Sequence, residues 1–262
     1  MFSVIDLFCG AGGFSEGFRQ AGFNIVFGID NNRVACETFQ YNFPDAKVVC
    51  QDINKFEVFP KSDIIIGSPP CTEFSKGNVN RTWDTSLIRR FLSIVKKIKP
   101  RFFVMENVPD CQISITKEFS KDFPTQLILS ASDFECATVR TRLFAGNFPN
   151  TIQKSTKTVV VKDVIKCDMS GYRQPFKQVV YRKIDPNKPL FTICSQRIGN
   201  ERYLLPNGRS LEVAELATIQ GFPSHFIFPC SRSEAQRMIG NSVCPPVANA
   251  IAKAILFSIS NG

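Results

Sequence analysis

Histidine is nearly missing from this 262-residue chain: His225 is the only one. Ten cysteines are present, at 9, 36, 50, 71, 111, 136, 167, 194, 230 and 244, yet no two stand in CxxC spacing. Together these gaps argue against the clustered Cys/His ligand sets of zinc sites, and no metal is expected. No apolar run reaches 18 residues, so no transmembrane helix and no membrane role is expected. The N-terminal MFSVIDLFCG lacks a basic segment before its apolar stretch, so it reads as strand and turn rather than signal peptide. Without that signal the cysteines are expected to be reduced and mostly buried, with one or two at most carrying chemistry. Charged residues are sparse at 21%, and with 25 phenylalanines this composition excludes a disordered chain.

The hydrophobic share of 44% is ample for a buried core, in one large domain or two unequal ones. Net charge is +9, which favours an anionic partner, and it is unevenly spread. Residues 151–210 hold twelve basic against four acidic side chains, whereas residues 1–60 hold four against seven. The shift marks 151–210 as a separate unit. Its composition (KTVVVKDVIK, RKIDPNKPLFTI) suits short strands and loops. A helix pattern returns in SLEVAELATIQGF, and the chain closes on an apolar amphipathic helix from Pro245.

The first 150 residues alternate buried-strand runs with helix-period segments. Ser3–Phe8, Asn24–Asp30, Asp63–Gly67 and Arg101–Glu106 read as strands, and a third strand in chain order is expected to close at Asp52. Ser15–Ala21, Asn32–Asn42 and Ser86–Lys97 read as helices. The expected fold is α/β, a doubly wound, mainly parallel sheet with a second, smaller domain. Ligands bind such sheets at the carboxyl ends of the strands. The polar and Gly/Pro-rich stretches DLFCGAGG, GIDNN, CQDIN, GSPPC and MENVPD fall at those ends.

In strand–GAGG–helix, backbone N–H groups and a helix N-terminus face a ligand. Ser15 stands where GxGxxG needs its last glycine, which weakens a dinucleotide reading and favours a nucleoside-type ligand. Asp30 can grip ribose hydroxyls and Asp52 an adenine amino group, although either carboxylate alone serves a helix cap or turn equally well. Cys71 follows the rigid Pro69-Pro70 turn, where a thiolate could act as nucleophile; the other nine cysteines read as structural. Glu106, at a neighbouring strand end, is either a buried carboxylate bonded to loop amides or an acid/base group that reads a base edge.

These residues, taken together, resemble the cytosine-5 DNA methyltransferases that use S-adenosylmethionine, from the first strand to the last helix. DLFCGAGGFSEGF resembles the cofactor loop, GSPPC with TEFS the nucleophile motif, and ENV the motif whose Glu holds the cytosine. VRTRLF at 139–144 resembles the arginine motif, RSLEVAELATIQGFP the helix supporting the small domain, and GNSVCPPVANAIAKAI the closing motif. Thr72 and Thr138 stand where the family commonly has Gln. The resemblance implies Phe8, Gly10, Ala11, Gly12, Gly13, Asp30, Asn31, Asp52, Ile53, Pro69, Asn241 and Ser242 as cofactor-binding residues. It implies Cys71 as nucleophile on C6, Glu106 at N3 and the exocyclic amine, Arg142 at the base O2 and Arg140 as support, on a flipped-out base.

Domains are expected at 1–148 plus 236–262 for catalysis and cofactor, and 149–235 for a small target-recognition domain. Duplex DNA is the implied partner. Ser75, Lys76 and Arg81 of the candidate closing loop 72–85, and Arg173, Gln174, Lys177, Gln178, Arg182, Gln196 and Arg197, are candidate nucleic-acid contacts by residue type. The expected setting is a monomer, with room for a companion restriction endonuclease, cytoplasmic in a bacterial, archaeal or phage context or nuclear in a eukaryote. The alternatives are a transfer-RNA cytosine-5 methyltransferase of the same family, a catalytically inactive DNA-binding paralogue, and a nicotinamide-dependent oxidoreductase, which the incomplete glycine pattern disfavours.

Overall fold

The computed structural model describes residues 1–70, 83–165, 182–195, 203–205, 207 and 209–261. The chain runs β1 (Ser3–Leu7), α1 (Gly13–Gln20), β2 (Asn24–Asp30), α2 (Arg33–Asn42), β3 (Lys47–Cys50), β4 (Ile64–Gly67) and α3 (Ser86–Ile98). It continues with β5 (Phe102–Asn107), α4 (Cys111–Glu118), β6 (Thr125–Ser130), β7 (Thr141–Gly146) and α5 (Val161–Val164). Then come β8 (Arg182–Lys183), β9 (Tyr203–Leu204), α6 (Val213–Ile219), α7 (Arg232–Asn241) and α8 (Pro245–Asn261). Seven strands form one sheet in the order β3-β2-β1-β4-β5-β7-β6, and β8 pairs with β9. Strands β1 to β5 are parallel, while β7 is antiparallel to both β5 and β6.

The central strands are mostly apolar because helices cover both faces, with Asp6 in β1 and Glu106 in β5 as buried exceptions. Alternate residues go to opposite sides. Val4, Ile25, Ile64, Ile66, Val104 and Phe144 join the core packed under α1, α2 and α8. Ile5, Leu7, Phe27, Ile65, Met105 and Leu143 join a second core under α3 and α4. In α3 the buried residues Ile88, Phe91, Leu92 and Val95 recur at helical spacing; the helix ends where Lys99 turns left-handed, at φ 57°, before Pro100. The segment Arg232–Asn261 is long and apolar enough to cross a membrane by composition. Its α8 part nevertheless buries Val247, Ala248, Ile251, Ala252 and Ile255 in the first core. That same core takes in Ile184, Leu190, Ile193, Leu205, Leu211 and Leu216, so the described residues between 149 and 235 share apolar packing with the sheet.

Several local expectations need correction. The third strand ends at Cys50, not Asp52; Asp52 instead caps a short 3-10 turn, Ile53–Lys55, accepting from Asn54 N at 2.9 Å. The first strand ends at Leu7 because Phe8 adopts φ 61°, which breaks extended geometry. Elements α4, β6, β7 and α7 had no counterpart in the sequence reading. Residue 236 lies inside α7, which starts from the Ser231–Glu234 capping box.

Candidate functional site

The carboxyl ends of β1, β2, β4 and β5 meet along one edge of the sheet. The loop after β1 is held open by left-handed residues at Phe8, Gly10 and Gly12, with φ of 61°, 53° and 100°. Two glycines are dictated by packing. A Cβ on Gly12 would lie 2.5 Å from the Phe43 ring, and one on Gly13 would lie 2.5 Å from Val243 O. At Gly10 a Cβ would meet nothing within 4 Å, so the backbone there faces open space. Ala11 is buried against Ala35 and Met238. Ser15, at the position of the missing glycine, donates to Asp6 at 2.6 Å and anchors α1 to β1.

Asp30 ties this loop to the end of β2. Its Oδ2 accepts from Gly10 N at 2.9 Å and its Oδ1 from Asn32 N at 2.8 Å. Burial raises the carboxyl's pKa above the ordinary carboxylate value, while the amides of Asn32, Gly10 and Asn31 pull the other way. Gln51 N donates to Asp30 O at 2.9 Å, which brings the start of the Asp52–Ile53 turn beside it. Ile53 is buried in the α3-side core. Three backbone amides therefore face this carboxylate, whose two oxygens offer about four lone-pair sites.

Pro69, buried at the end of β4, is fixed through its carbonyl by Asn107 Nδ2 at 3.1 Å. Glu106, 5% exposed, forms an ion pair with Arg142 Nε at 3.1 Å. Strand direction explains their meeting: β7 runs against β5, so residues entering β7 lie at the end where β5 leaves. Glu106 is paired with Phe144 in register, and Arg142 is its diagonal neighbour. Arg140, 4% exposed, donates from Nη2 to Asn241 O at 3.3 Å. A small cavity lined by Leu129, Arg140, Arg142, Phe144, Val243, Cys244 and Val247 lies beneath the two arginines.

Asn241 ends α7, and Ser242 caps it at the turn into α8. Asn241 is exposed, while Ser242 Oγ donates to Met238 O at 2.7 Å. The Gly13–Val243 contact sets this turn against the glycine loop, and Arg140 links it to the Glu106–Arg142 pair. The fold thus joins the two groups of sequence-assigned residues, nucleoside-type and acid/base, through one turn. Cys71, Ser75, Lys76, Arg81, Arg173, Gln174, Lys177, Gln178, Gln196 and Arg197 lie outside the described residues, and for Arg182 only the backbone is described.

The family model of C-5 cytosine-specific DNA methylases matches residues 2–168 and 150–256. The chain belongs to that family. Among its relatives, the type II methyltransferase M1.HphI of Haemophilus parahaemolyticus is 28% identical, over 97% of this chain and 86% of its own length. M.HindV of Haemophilus influenzae is 31% identical over 96% of this chain and 95% of its own. The same fold is found in the Entamoeba histolytica methyltransferase EhMeth, with TM-score 0.77 at 18% identity and 99% of each chain covered. It is found again in S. pombe Dnmt2, with TM-score 0.69 at 17% identity, covering 98% of this chain and 99% of that one.

Within this cytosine-5 methylase scaffold, four residues have supporting roles that the sequence pattern does not show. Asn107 follows Glu106 and holds the proline turn. Asp6 and Ser15 lock α1 to β1 beneath the loop. Gln220 grips the α7–α8 turn. Asn107 and Gln220 sit inside quoted motifs, so the signal was a polar residue flanked by buried ones; their partners depend on tertiary contacts that spacing does not reveal.

Proposed function

We propose that this protein is a DNA (cytosine-5)-methyltransferase that takes its methyl group from S-adenosylmethionine and attacks a flipped-out cytosine through Cys71. The observation that carries this reading is the Glu106–Arg142 pair, set beside the Asn107-held proline turn that leads into Cys71. The glycine loop supports the cofactor assignment, because open backbone at Gly10 lies next to a carboxylate with a lone-pair site to spare. When bound, S-adenosylmethionine supplies an electrophilic methyl on a sulfonium. Asp30 would hold the ribose, Asp52 and Ile53 the adenine, and Asn241 with Ser242 the methionine end.

Cytosine C6 is a poor electrophile until its ring can accept electrons. Glu106 supplies hydrogen bonding at N3 and the exocyclic amine, and Arg142 contacts O2. The Cys71 thiolate then adds to C6, making C5 nucleophilic toward the methyl group. Loss of the C5 proton and elimination of the thiolate restore the aromatic ring and free the enzyme. Since C6 is stacked in a duplex, the base must leave the helix first. The basic segment 151–210 would track phosphates from a small recognition domain, which contributes position and affinity rather than sequence information. Because α7 begins at Arg232, this domain is better ended before that helix.

Expression in a methylation-free host followed by genome-wide bisulfite sequencing should reveal 5-methylcytosine within one sequence context. Cys71→Ser should abolish transfer while leaving S-adenosylmethionine binding intact, and DNA carrying 5-fluorocytosine should trap a Cys71 adduct, since fluorine blocks elimination. Full activity of Cys71→Ser would overturn the covalent mechanism. Parallel assays on transfer RNA test the substrate, and methylation of RNA alone would sink the DNA reading.

A further inference from the structure

Gln220 ends helix α6 and is wholly buried, at 0% exposure. Its backbone is rigidly placed. Gln220 N donates to Leu216 O at 3.0 Å, and the next residue, Gly221, takes φ 89° to close the helix. A Cβ on Gly221 would lie 2.5 Å from Pro246 Cδ, so the end of α6 is wedged against the start of α8. From this fixed base the side chain spans both sides of the α7–α8 turn. Nε2 donates to Ile239 O at 3.1 Å and to Ser242 O at 3.0 Å.

Two carbonyls can be met only by a donor, so the amide nitrogen must face the turn. Its Oε1 accepts no hydrogen bond among the described residues. A buried acceptor left open costs about 1–3 kcal/mol. Retaining an amide here, rather than an apolar side chain of the same length, therefore implies that its two donors are needed. The turn they hold is the one that Gly13 abuts and whose Asn241 carbonyl Arg140 grips.

We propose that Gln220 is a positioning residue for S-adenosylmethionine: by holding Ile239 O and Ser242 O it sets the Asn241–Ser242 turn that receives the cofactor's methionine end. The inference rests on the cofactor reading above, and the test separates the two. Gln220→Met keeps the length and removes both donors. Its dissociation constant for S-adenosylmethionine should rise about tenfold, the loss expected for one to two hydrogen bonds. Affinity for duplex DNA without cofactor should stay within about twofold, because hydrogen bonds of this strength act locally.

Gln220→Glu, which keeps the shape of the side chain, gives a second readout should the methionine variant fail to fold. Its ionised carboxylate would face two carbonyls, and the protonated acid regains one donor. Cofactor affinity relative to wild type at each pH should therefore improve as pH is lowered from 8 to 6 while affinity for duplex DNA relative to wild type stays level, whereas a general folding defect would move both together. Unchanged cofactor affinity in these variants, or equal weakening toward DNA and cofactor, would overturn the positioning role. A wild-type protein that fails to bind S-adenosylmethionine would overturn the site reading instead.

Discussion

Asp6 lies on β1 at 1% exposure, with Ser15 as its hydrogen-bonding partner. Burial raises its pKa to about 8, a shift the Ser15 hydrogen bond moderates and Asp30 reinforces. The unfolded chain releases this proton near the ordinary value of 3.8. Between the two values the folded state binds the extra proton, so stability contributed by this group falls as pH rises from about 4 to about 8, by up to about 1.4 kcal/mol per pH unit. Asp6→Asn keeps a neutral partner for Ser15 and removes that slope. Urea unfolding at pH 6 and pH 8 should show the variant gaining about 1–3 kcal/mol on wild type across the interval; parallel profiles would mean that Asp6 is already ionised in the fold. None of this was visible in DLFCGAGG. The motif points to a loop at the ligand-facing edge of the sheet, whereas the raised pKa of its first residue comes from tertiary burial. Asp52 shows the opposite case: a carboxylate placed at the correct edge whose cap role, left open by the sequence, is now visible at 2.9 Å from Asn54 N.

The elements legible in advance were those with a complete local signal. Strands β1, β2 and β4 are carried by short apolar runs, interrupted in β1 by Asp6, and α2 opens on Asn32, which accepts from Ala35 N at 3.1 Å. Strands β6 and β7 were not legible because direction is not written in a strand. The antiparallel insertion of β7 between β5 and β6, which delivers Arg142 to Glu106, is a property of the sheet. Helix contacts were likewise hidden. Gly17 lies inside α1, where glycine ordinarily weakens a helix, yet its missing side chain is what lets α1 lie on α8: a Cβ there would overlap Ala248 Cβ and Pro245 O. Asn249 Nδ2 donates to Gly17 O at 3.2 Å across the same crossing. Gly17→Ala gains roughly 1 kcal/mol of helix propensity, but because one of the overlapped atoms is backbone it incurs about 2–3 kcal/mol of overpacking. A net loss of about 1–2 kcal/mol, read as a fall in Tm of about 2–8 °C, is expected from a thermal melt. An unchanged or higher Tm would show that the crossing can open without strain.

At the scale of the whole molecule, charge and packing divide the chain differently. The first core is continuous from the sheet through Leu190, Leu211 and Leu216 to α8, so apolar contacts do not separate the described part of 149–235 from the rest. Charge does separate it, with an excess of basic residues in 151–210 against a slightly acidic 1–60. The two ligands of the proposed reaction should therefore respond differently to salt. Neutralising phosphates releases condensed counterions, and four to six such contacts would weaken DNA binding by about 10²–10³ between 50 and 200 mM salt. The cofactor would instead be held beside Asp30, whose carboxylate is fixed by short hydrogen bonds from Gly10 N and Asn32 N, at contact distances that a Debye length of about 7–14 Å over that range screens little. Titrating both ligands into the same protein across that salt series should give a steep line for DNA and a nearly flat one for S-adenosylmethionine. A flat line for DNA would remove the phosphate-tracking role from residues 151–210 and leave their charge as ordinary solvated surface.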